Sequence, residues 1–254
     1  MLRIEEDKRG TQLILSRAHK NFVESLFRAE VPEINEGIVE IMGISRDPGG
    51  RTKIAVSSAD SDIDAVGACV GMRGSRVQNI IQELKGEKID IVPWSPDSAR
   101  FSCNALSPAR VNKVILDESS KIMEVIVDED QYSLCIGRRG QNVRLASELT
   151  QWEITVKTDI QLKEEQQAVV KLLLTLPNIS EVNANLLFAG GYHTLEDIAF
   201  GESDSISKSS GITNEEDISK IQLAARNALK DRLRNIEVNG DEDNIEEDSE
   251  EKLS

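Results

Sequence analysis

Aromatic residues are scarce in this chain, making up 4% of its 254 residues. Any hydrophobic core must therefore be built mainly from isoleucine, valine, leucine and alanine. Long apolar runs are also missing. No stretch approaches the roughly 20 residues that a membrane-spanning helix needs, and the N-terminal segment MLRIEEDKRG lacks the apolar stretch of a signal peptide. These absences predict a soluble, cytoplasmic protein that does not contact a membrane.

Cysteine and histidine are too few and too scattered to suggest chemistry. The three cysteines, Cys69, Cys103 and Cys135, fit neither a disulfide framework nor a zinc site, because their number is odd and they lie far apart. The two histidines have no serine, cysteine or acidic residues arranged around them as a catalytic set. No nucleophile elbow or Walker loop is present. We therefore predict no enzyme activity, no catalytic residues, no metal and no cofactor.

Basic residues are outnumbered by acidic ones, 30 against 45, which gives a formal net charge of −15 and argues against a generic nucleic-acid binder. The imbalance is concentrated at the C-terminus, where nine acidic residues and one lysine follow Ile236. Such a segment cannot bury enough apolar surface to offset the entropy lost on ordering. We predict a disordered acidic tail at residues 237–254, and the rest of the chain remains compatible with a locally basic site.

Two glycine loops are the clearest motif in the chain. The first loop, GMRG at residues 71–74, and the second loop, GRRG at residues 137–140, lie 66 residues apart. Each follows a short apolar helix and precedes an amphipathic one. The order helix–strand–strand–helix–loop–helix–strand surrounds both loops. This duplication predicts an α+β fold with two copies of one domain, at residues 18–95 and 96–160, joined by a stiff PWSP connection.

The physical chemistry of these loops suits phosphate binding. A helix N-terminus has unpaired N–H groups and a partial positive charge. Glycine removes the Cβ that would keep a phosphate at a distance, and arginine adds planar donors. This is the GXXG loop of KH domains, which clamps about four nucleotides of single-stranded RNA, here in the type II order α-β-β-α-α-β. A single GXXG would be read as a turn between helices, but two in matching contexts favour nucleic-acid binding.

Longer segments carry a family resemblance. DIDAVGACVGMRGSRVQNIIQELKGEKIDIVPWS (residues 62–95) and YSLCIGRRGQNVRLASELTQWEI (residues 132–154) resemble the two KH domains of the NusA family of bacterial transcription elongation, termination and antitermination factors. GTQLILSR resembles the last strand of the OB-type barrel that precedes the tandem, so residues 1–17 are expected to be a barrel remnant whose strand has nothing before it to pair with. The resemblance implies RNA contacts by Gly71, Met72, Arg73, Gly74, Arg76, Gly137, Arg138, Arg139, Gly140, Gln141 and Asn142.

The remaining region, residues 161–236, is predicted to be a small all-α domain. EVNANLLFAGGYHTLEDIA has the pattern helix, glycine turn, helix, with Thr194 as N-cap and Asp197 as its capping-box partner. It resembles, more weakly, the helix-hairpin-helix repeat found downstream in many family members. Such hairpins bind either a phosphate backbone or another protein. The hairpin segment AGGYHTLEDIAFGES contains no lysine or arginine, which favours protein docking.

The resemblance implies an RNA-binding transcription factor that grips nascent single-stranded RNA and modulates elongation, termination and antitermination. The family's polymerase-binding N-terminal domain and most of its OB barrel have no counterpart here, so contact with RNA polymerase and other transcription factors stays open. We expect a monomer. One alternative is a ribosomal or ribosome-assembly KH protein. Another is a KH-containing fragment of an RNA-processing exoribonuclease, although those enzymes carry a single KH domain placed before the OB barrel.

Overall fold

The computed structural model describes residues 3–7, 10–60 and 62–250. Two compact units make up the chain, Met1–Asp159 and Ile160–Ser254. The first unit contains an N-terminal hairpin and two three-stranded sheets with their helices, and the second contains helices. The mixed α+β class and the tandem order predicted from the sequence are both confirmed.

The N-terminal hairpin corrects one expectation. β1 (Arg3–Asp7) pairs antiparallel with β2 (Gly10–Ile14), so the strand in GTQLILSR does have a preceding partner. The partner was missed because its sequence, RIEED, is mostly charged and shows no alternation of apolar residues. Backbone hydrogen bonds pair the strands of a hairpin whatever their side chains, so an exposed charged strand can form there.

The first KH domain follows the hairpin. Its elements are α1 (Lys20–Glu30), α2 (Pro32–Asn35), β3 (Val39–Asp47), β4 (Arg51–Ser58), α3 (Ala65–Val70), α4 (Ser75–Glu83) and β5 (Lys88–Pro93). β4 is the central strand, antiparallel to β3 and parallel to β5. Buried Val23 and Phe27 of α1, Ile54 of β4 and Ile80 of α4 form a core on one face of the sheet. The helical spacing and the strand alternation in the sequence account for this core.

The second KH domain repeats this arrangement. Its elements are α5 (Ser98–Ala105), β6 (Lys113–Asp117), β7 (Ile122–Val127), α6 (Glu129–Ile136), α7 (Gln141–Thr150) and β8 (Glu153–Thr158). β7 is central, antiparallel to β6 and parallel to β8. The core contains Met123, Val125, Leu149 and Trp152. The predicted order α-β-β-α-α-β is therefore present twice.

The two KH domains share a hydrophobic core. Ala55 and Val92 lie on the face of the first sheet that points away from its own helices, and they belong to the core of the second domain. A Cβ added to Gly43 would lie 3.3 Å from Leu149 Cδ1, so α7 packs closely against β3. In the connection, the Trp94 amide donates to the Val56 carbonyl at 2.9 Å. The loops of the two domains are thus held in a fixed relation.

The second unit is built from helices. They are α8 (Asp159–Leu173), which begins at the last residue of the first unit, α9 (Glu181–Ala189), α10 (Leu195–Phe200), α11 (Ser203–Ser210) and α12 (Glu215–Glu250). The predicted capping box is present: the Asp197 amide donates to Thr194 Oγ1 at 3.1 Å, and the Thr194 amide donates to Asp197 Oδ2 at 2.8 Å. Leu173, Leu187 and Ile198 are buried at the centre of this unit.

The C-terminal helix enters residues 237–254, the segment predicted to be a disordered tail. The structure continues α12 as far as Glu250, and residues 251–254 lie outside the described residues. Extending an existing helix costs far less than nucleating a new one. Glutamate is also a good helix former, and no proline interrupts the sequence after Ile236. Disorder of residues 237–254 stays a prediction.

Candidate nucleic-acid interface

The two glycine loops have the same backbone. Their first glycines, Gly71 and Gly137, have φ/ψ of 74°/175° and 75°/174°. Their third residues, Arg73 and Arg139, both lie in the left-handed region with φ of 53°. A non-glycine residue in this region is uncommon and costs on the order of 1–3 kcal/mol where it is held there. Both loops contain this unfavourable conformation at the same position. The backbone geometry of the loop is therefore common to the two domains.

The first residue of each loop must be glycine, because a side chain from the following helix packs directly against it. A Cβ added to Gly71 would lie 2.7 Å from Arg76 Cγ, and one added to Gly137 would lie 2.8 Å from Asn142 Cβ. Both distances are shorter than real Cβ atoms show, and the positive φ adds strain. The sixth residue of each motif therefore closes over the first glycine and fixes the turn.

The middle residues of the loops project into solvent. Arg138 and Arg139 of the second loop and Arg73 of the first are exposed, and the side chain of Met72 is 87% exposed. Within the part of the chain that the structure describes, the side chains of these three arginines have no hydrogen bond or ion pair. Their donors are free to meet an anion.

Both loops end at a helix N-terminus that no side chain caps. Gly74 and Gly140 are the N-cap residues of α4 and α7, both in the left-handed conformation, and neither has a side chain to accept from the first amides. The amides of the first helical residues, Ser75 and Gln141, donate back to the Met72 and Arg138 carbonyls. The donors left for an anion are therefore the next amides of each helix, at the positive end of its dipole. A phosphate group satisfies such donors.

Arg76 and Asn142, both predicted to contact RNA, have internal partners. Arg76 Nη1 donates to Glu33 Oε2 at 2.9 Å and to the Ala68 carbonyl at 2.6 Å. Asn142 is 6% exposed, and its Nδ2 donates to the Leu106 and Cys135 carbonyls at 3.0 and 3.1 Å. These side chains brace the loops, and direct RNA contact through them stays a prediction that the geometry does not favour.

Gln141 contacts the first KH domain. Its Nε2 donates to Asp47 Oδ2 at 2.6 Å, and Arg144 Nη2 donates to the same oxygen at 3.2 Å. The end of β3 is therefore attached to the first turn of α7, directly after the second loop. The sequence analysis missed Asp47 and Arg144, because no spacing rule relates residues that lie more than 90 positions apart. Their opposite charges were the available signal, and it is too common to be specific.

A second ion-pair cluster braces the turn after β3 from behind. Glu87 is 1% exposed and accepts from Arg46 Nε at 2.8 Å and from the Gly49 amide at 2.8 Å. Burial alone would raise the pKa of Glu87, but hydrogen bonds from Arg46, Thr52 and the Gly49 amide hold it below its ordinary value. The carboxylate therefore stays charged, and it ties the Gly49 amide in the turn after β3 to the start of β5.

The cysteines near the loops are not reactive groups. Cys69 and Cys135 are fully buried at equivalent positions, two residues before each first glycine. Burial raises the pKa of Cys69 to about 12 and that of Cys135 to about 11. Both remain protonated thiols at neutral pH and act as small core residues. Among the described residues no cluster of His, Cys, Asp and Glu side chains could hold a metal ion, and no helix is long and apolar enough to cross a membrane.

The fold and the paired loops define a tandem type II KH protein, and comparison with known families agrees. The family model of the NusA-like first KH domain matches residues 17–94, and that of the NusA-like second KH domain matches residues 98–164. The chain is a NusA-like protein.

Named relatives support this assignment. The chain is 42% identical over 219 residues to the transcription termination/antitermination protein NusA of Rickettsia prowazekii (strain Madrid E), covering 84% of this chain and 44% of the relative. It is 43% identical, with the same coverage, to NusA of Rickettsia conorii (strain ATCC VR-613 / Malish 7). The chain thus spans less than half the length of these relatives. A solved structure, the crystal structure of APE1850, is similar with 21% identity and a TM-score of 0.41, covering 54% of this chain and 96% of that one.

Proposed function

We propose that the KH tandem grips one strand of nascent RNA with its two glycine loops and thereby modulates transcription elongation, termination and antitermination. The observation that carries the proposal is the pair of loops with one backbone geometry, each presenting unpaired arginine beside an uncapped helix N-terminus. The RNA-binding residues are then Gly71, Met72, Arg73 and Gly74 in the first loop, and Gly137, Arg138, Arg139 and Gly140 in the second.

The mechanism is positioning rather than chemistry. Each loop holds backbone phosphates through amides and arginine, and the adjoining bases lie along the neighbouring aliphatic surface. Because the two domains share a core, the strand is held in one fixed path. Such a grip on the transcript, in the bacterial cytoplasm where transcription takes place, changes how readily the RNA folds behind the polymerase. We expect the protein to act as a monomer, and contact with RNA polymerase is part of the proposal.

The first test is where RNA contacts the protein. Single-stranded RNA carrying photoreactive 4-thiouridine should crosslink to peptides that contain residues 71–74 and 137–140, and a duplex of the same sequence should crosslink far less. Crosslinks confined to the helical unit would contradict the assignment of the site.

The second test is functional. Adding the protein to a purified bacterial transcription reaction should change pausing or termination at an RNA hairpin. A variant with Arg138→Asp and Arg139→Asp, folded as judged by its melting temperature, should lose that effect. An equal effect from the variant would separate the transcriptional role from RNA binding by the second loop.

A further inference from the structure

A cleft lies between the two KH domains, directly beside the second loop. Its volume is about 390 Å³. Gly50, Arg51 and Lys88 of the first domain form one wall, and Gly137 and Arg138 of the second domain contribute to the other. Since the two domains share a core, the walls hold a fixed separation. The cleft therefore belongs to the junction and to neither domain alone.

The cleft is basic in an acidic protein. Arg51, Lys88 and Arg138 line it, and no carboxylate does, although acidic residues exceed basic ones by 45 to 30 in the whole chain. Lys88 and Arg138 are exposed, and across residues 3–7, 10–60 and 62–250 their side chains make no hydrogen bond or ion pair. Two uncommitted cations thus lie on opposite walls.

The nearby carboxylates are already paired. Asp90 accepts from Arg51 Nε at 2.6 Å and from the fully buried Lys53 Nζ at 3.0 Å. Asp47 accepts from Arg144 and Gln141. The cluster of Arg51, Lys53 and Asp90 contains two cations and one carboxylate, so it has a net positive charge. The field inside the cleft therefore favours an anion.

A pocket also lies beside the first loop, with a volume of about 550 Å³, but it is not basic. It is lined by Glu33 and Arg76, which neutralise each other at 2.9 Å. The basic cleft is thus not a general consequence of the GXXG turn. It arises because the second loop faces the sheet of another domain, whose edge supplies Arg51 and Lys88.

The cleft also has an apolar part. Leu134 is 44% exposed on its wall, beside Gly137, which carries no side chain. A ligand that suits the whole cleft combines an anionic group with a flat or apolar group. A nucleotide unit of RNA has this combination, since its phosphate is anionic and its base has an apolar face.

We infer that this junction cleft binds the nucleotide that links the RNA held by the two loops, with its phosphate between Lys88 and Arg138 and its base or ribose against Leu134. The inference rests on the proposed function and adds Lys88 and Leu134, neither of which lies in a GXXG motif. The junction then takes part in binding the strand instead of merely spacing the two domains.

The test compares Lys88→Gln with Lys85→Gln, a matched control. Lys85 is exposed, lies three residues earlier and does not line the cleft, so both variants remove one positive charge. Each variant is measured with a four-nucleotide RNA, the length that one loop clamps, and with an RNA of about 12 nucleotides that can span both loops. Affinities are taken over a salt series, because each phosphate contact to single-stranded RNA adds about 0.7 to the slope of log K against log salt.

Lys88→Gln should lower the affinity for the long RNA and lower the slope of log K against log salt by about 0.7. For the four-nucleotide RNA, the loss of affinity caused by Lys88→Gln should be no larger than the loss caused by Lys85→Gln. Lys88→Gln and Arg138→Gln should also be non-additive on the long RNA, because they bind one phosphate. Additive losses, or long-RNA binding by Lys88→Gln equal to that of the control, would overturn the inference.

Three further outcomes separate this inference from the proposed function and from a free-nucleotide site. If Lys88→Gln binds the long RNA normally while variants of the two loops lose binding, the junction site is wrong and the proposed function stands. Adenosine monophosphate is also used to displace the long RNA from the native protein and from Lys88→Gln. If it displaces the RNA equally well from both, the cleft is not a site for free nucleotides, and binding of the RNA strand is favoured. Preferential binding of the free nucleotide, with no Lys88 effect on long RNA, would contradict the inference.

Discussion

The first loop and the second loop have the same dihedral angles but present different side chains to solvent. The first presents Met72 and Arg73, and the second presents Arg138 and Arg139. The neighbour that closes the first loop is an arginine paired with Glu33, whereas the second is closed by a buried asparagine. The comparison shows that the turn and its charge are set separately. Glycines and the sixth residue fix the backbone, and the two middle residues decide how strongly each loop attracts phosphate.

The largest effect is expected from reversing the charge of the second loop. Arg138→Asp with Arg139→Asp replaces two free cations by two anions at a helix N-terminus, so RNA affinity should fall by orders of magnitude. Both side chains are exposed, and surface changes usually stay within about 0.5 kcal/mol of stability. The melting temperature should therefore change little. RNA binding measured over a salt series, beside a melting curve, checks both expectations.

The matched control for that variant is Arg100→Asp with Arg110→Asp. These arginines are exposed in the same domain and lie outside the loop. The control makes the same change in net charge, so an equal loss of RNA affinity in both variants would mean that the loop is not the site.

A smaller effect is expected from the first loop. Met72→Asp with Arg73→Asp removes one cation instead of two, so the salt slope should fall by about 0.7 rather than by about 1.4. Met72→Arg should do the opposite and bring the first loop closer to the second in affinity, because its backbone is already the same. Equal losses from the two loops would show that charge is not what distinguishes them.

Asp47, which joins the first KH domain to the helix after the second loop, tests whether the fixed arrangement of the two loops matters for RNA binding. Asp47→Ala removes the acceptor of Gln141 and Arg144. This partly exposed contact should cost about 1 kcal/mol of stability. RNA that spans both loops should bind a few-fold more weakly, while a four-nucleotide RNA should be unaffected or slightly favoured by the lost negative charge. Thermal unfolding and both RNA titrations give the answer. A gain in affinity for the long RNA would show that Asp47 acts only as a repulsive charge.

No effect at all is expected on the covalent structure of RNA. Labelled RNA incubated with the protein, with and without magnesium and phosphate, should stay intact, since no arrangement of nucleophile and base was found in the sequence. Cleavage that survives repurification and is abolished by a single substitution would contradict this expectation.

Local patterns in the sequence were sufficient for the repeated order of elements and for the position of both loops. Periodicities of 3.6 and 2 residues and glycine spacing are properties of short segments, and the 66-residue offset relates them. The contact between Asp47 and Gln141, across 94 positions, depends on how the domains pack and has no local signature. For the same reason Asn142 looked like a free polar residue after the loop, although the fold buries it under the Leu106 carbonyl.

The strand β1 was missed for a different reason. Its backbone forms regular structure although its side chains are mostly charged, so hydrophobic patterning does not reveal it. The cleft between Lys88 and Arg138 could not be predicted from local patterns, because each domain contributes one of its walls.

The central claim is that both loops hold the same RNA strand, and its most direct test is the length dependence of binding by the native tandem. Affinity should rise steeply once the RNA is long enough to reach from one loop to the other, because the second contact is then intramolecular. Arg138→Asp with Arg139→Asp should remove that rise and leave the weak binding of short RNA by the first loop. An affinity that grows no faster with length in the native protein than in this variant would contradict the account.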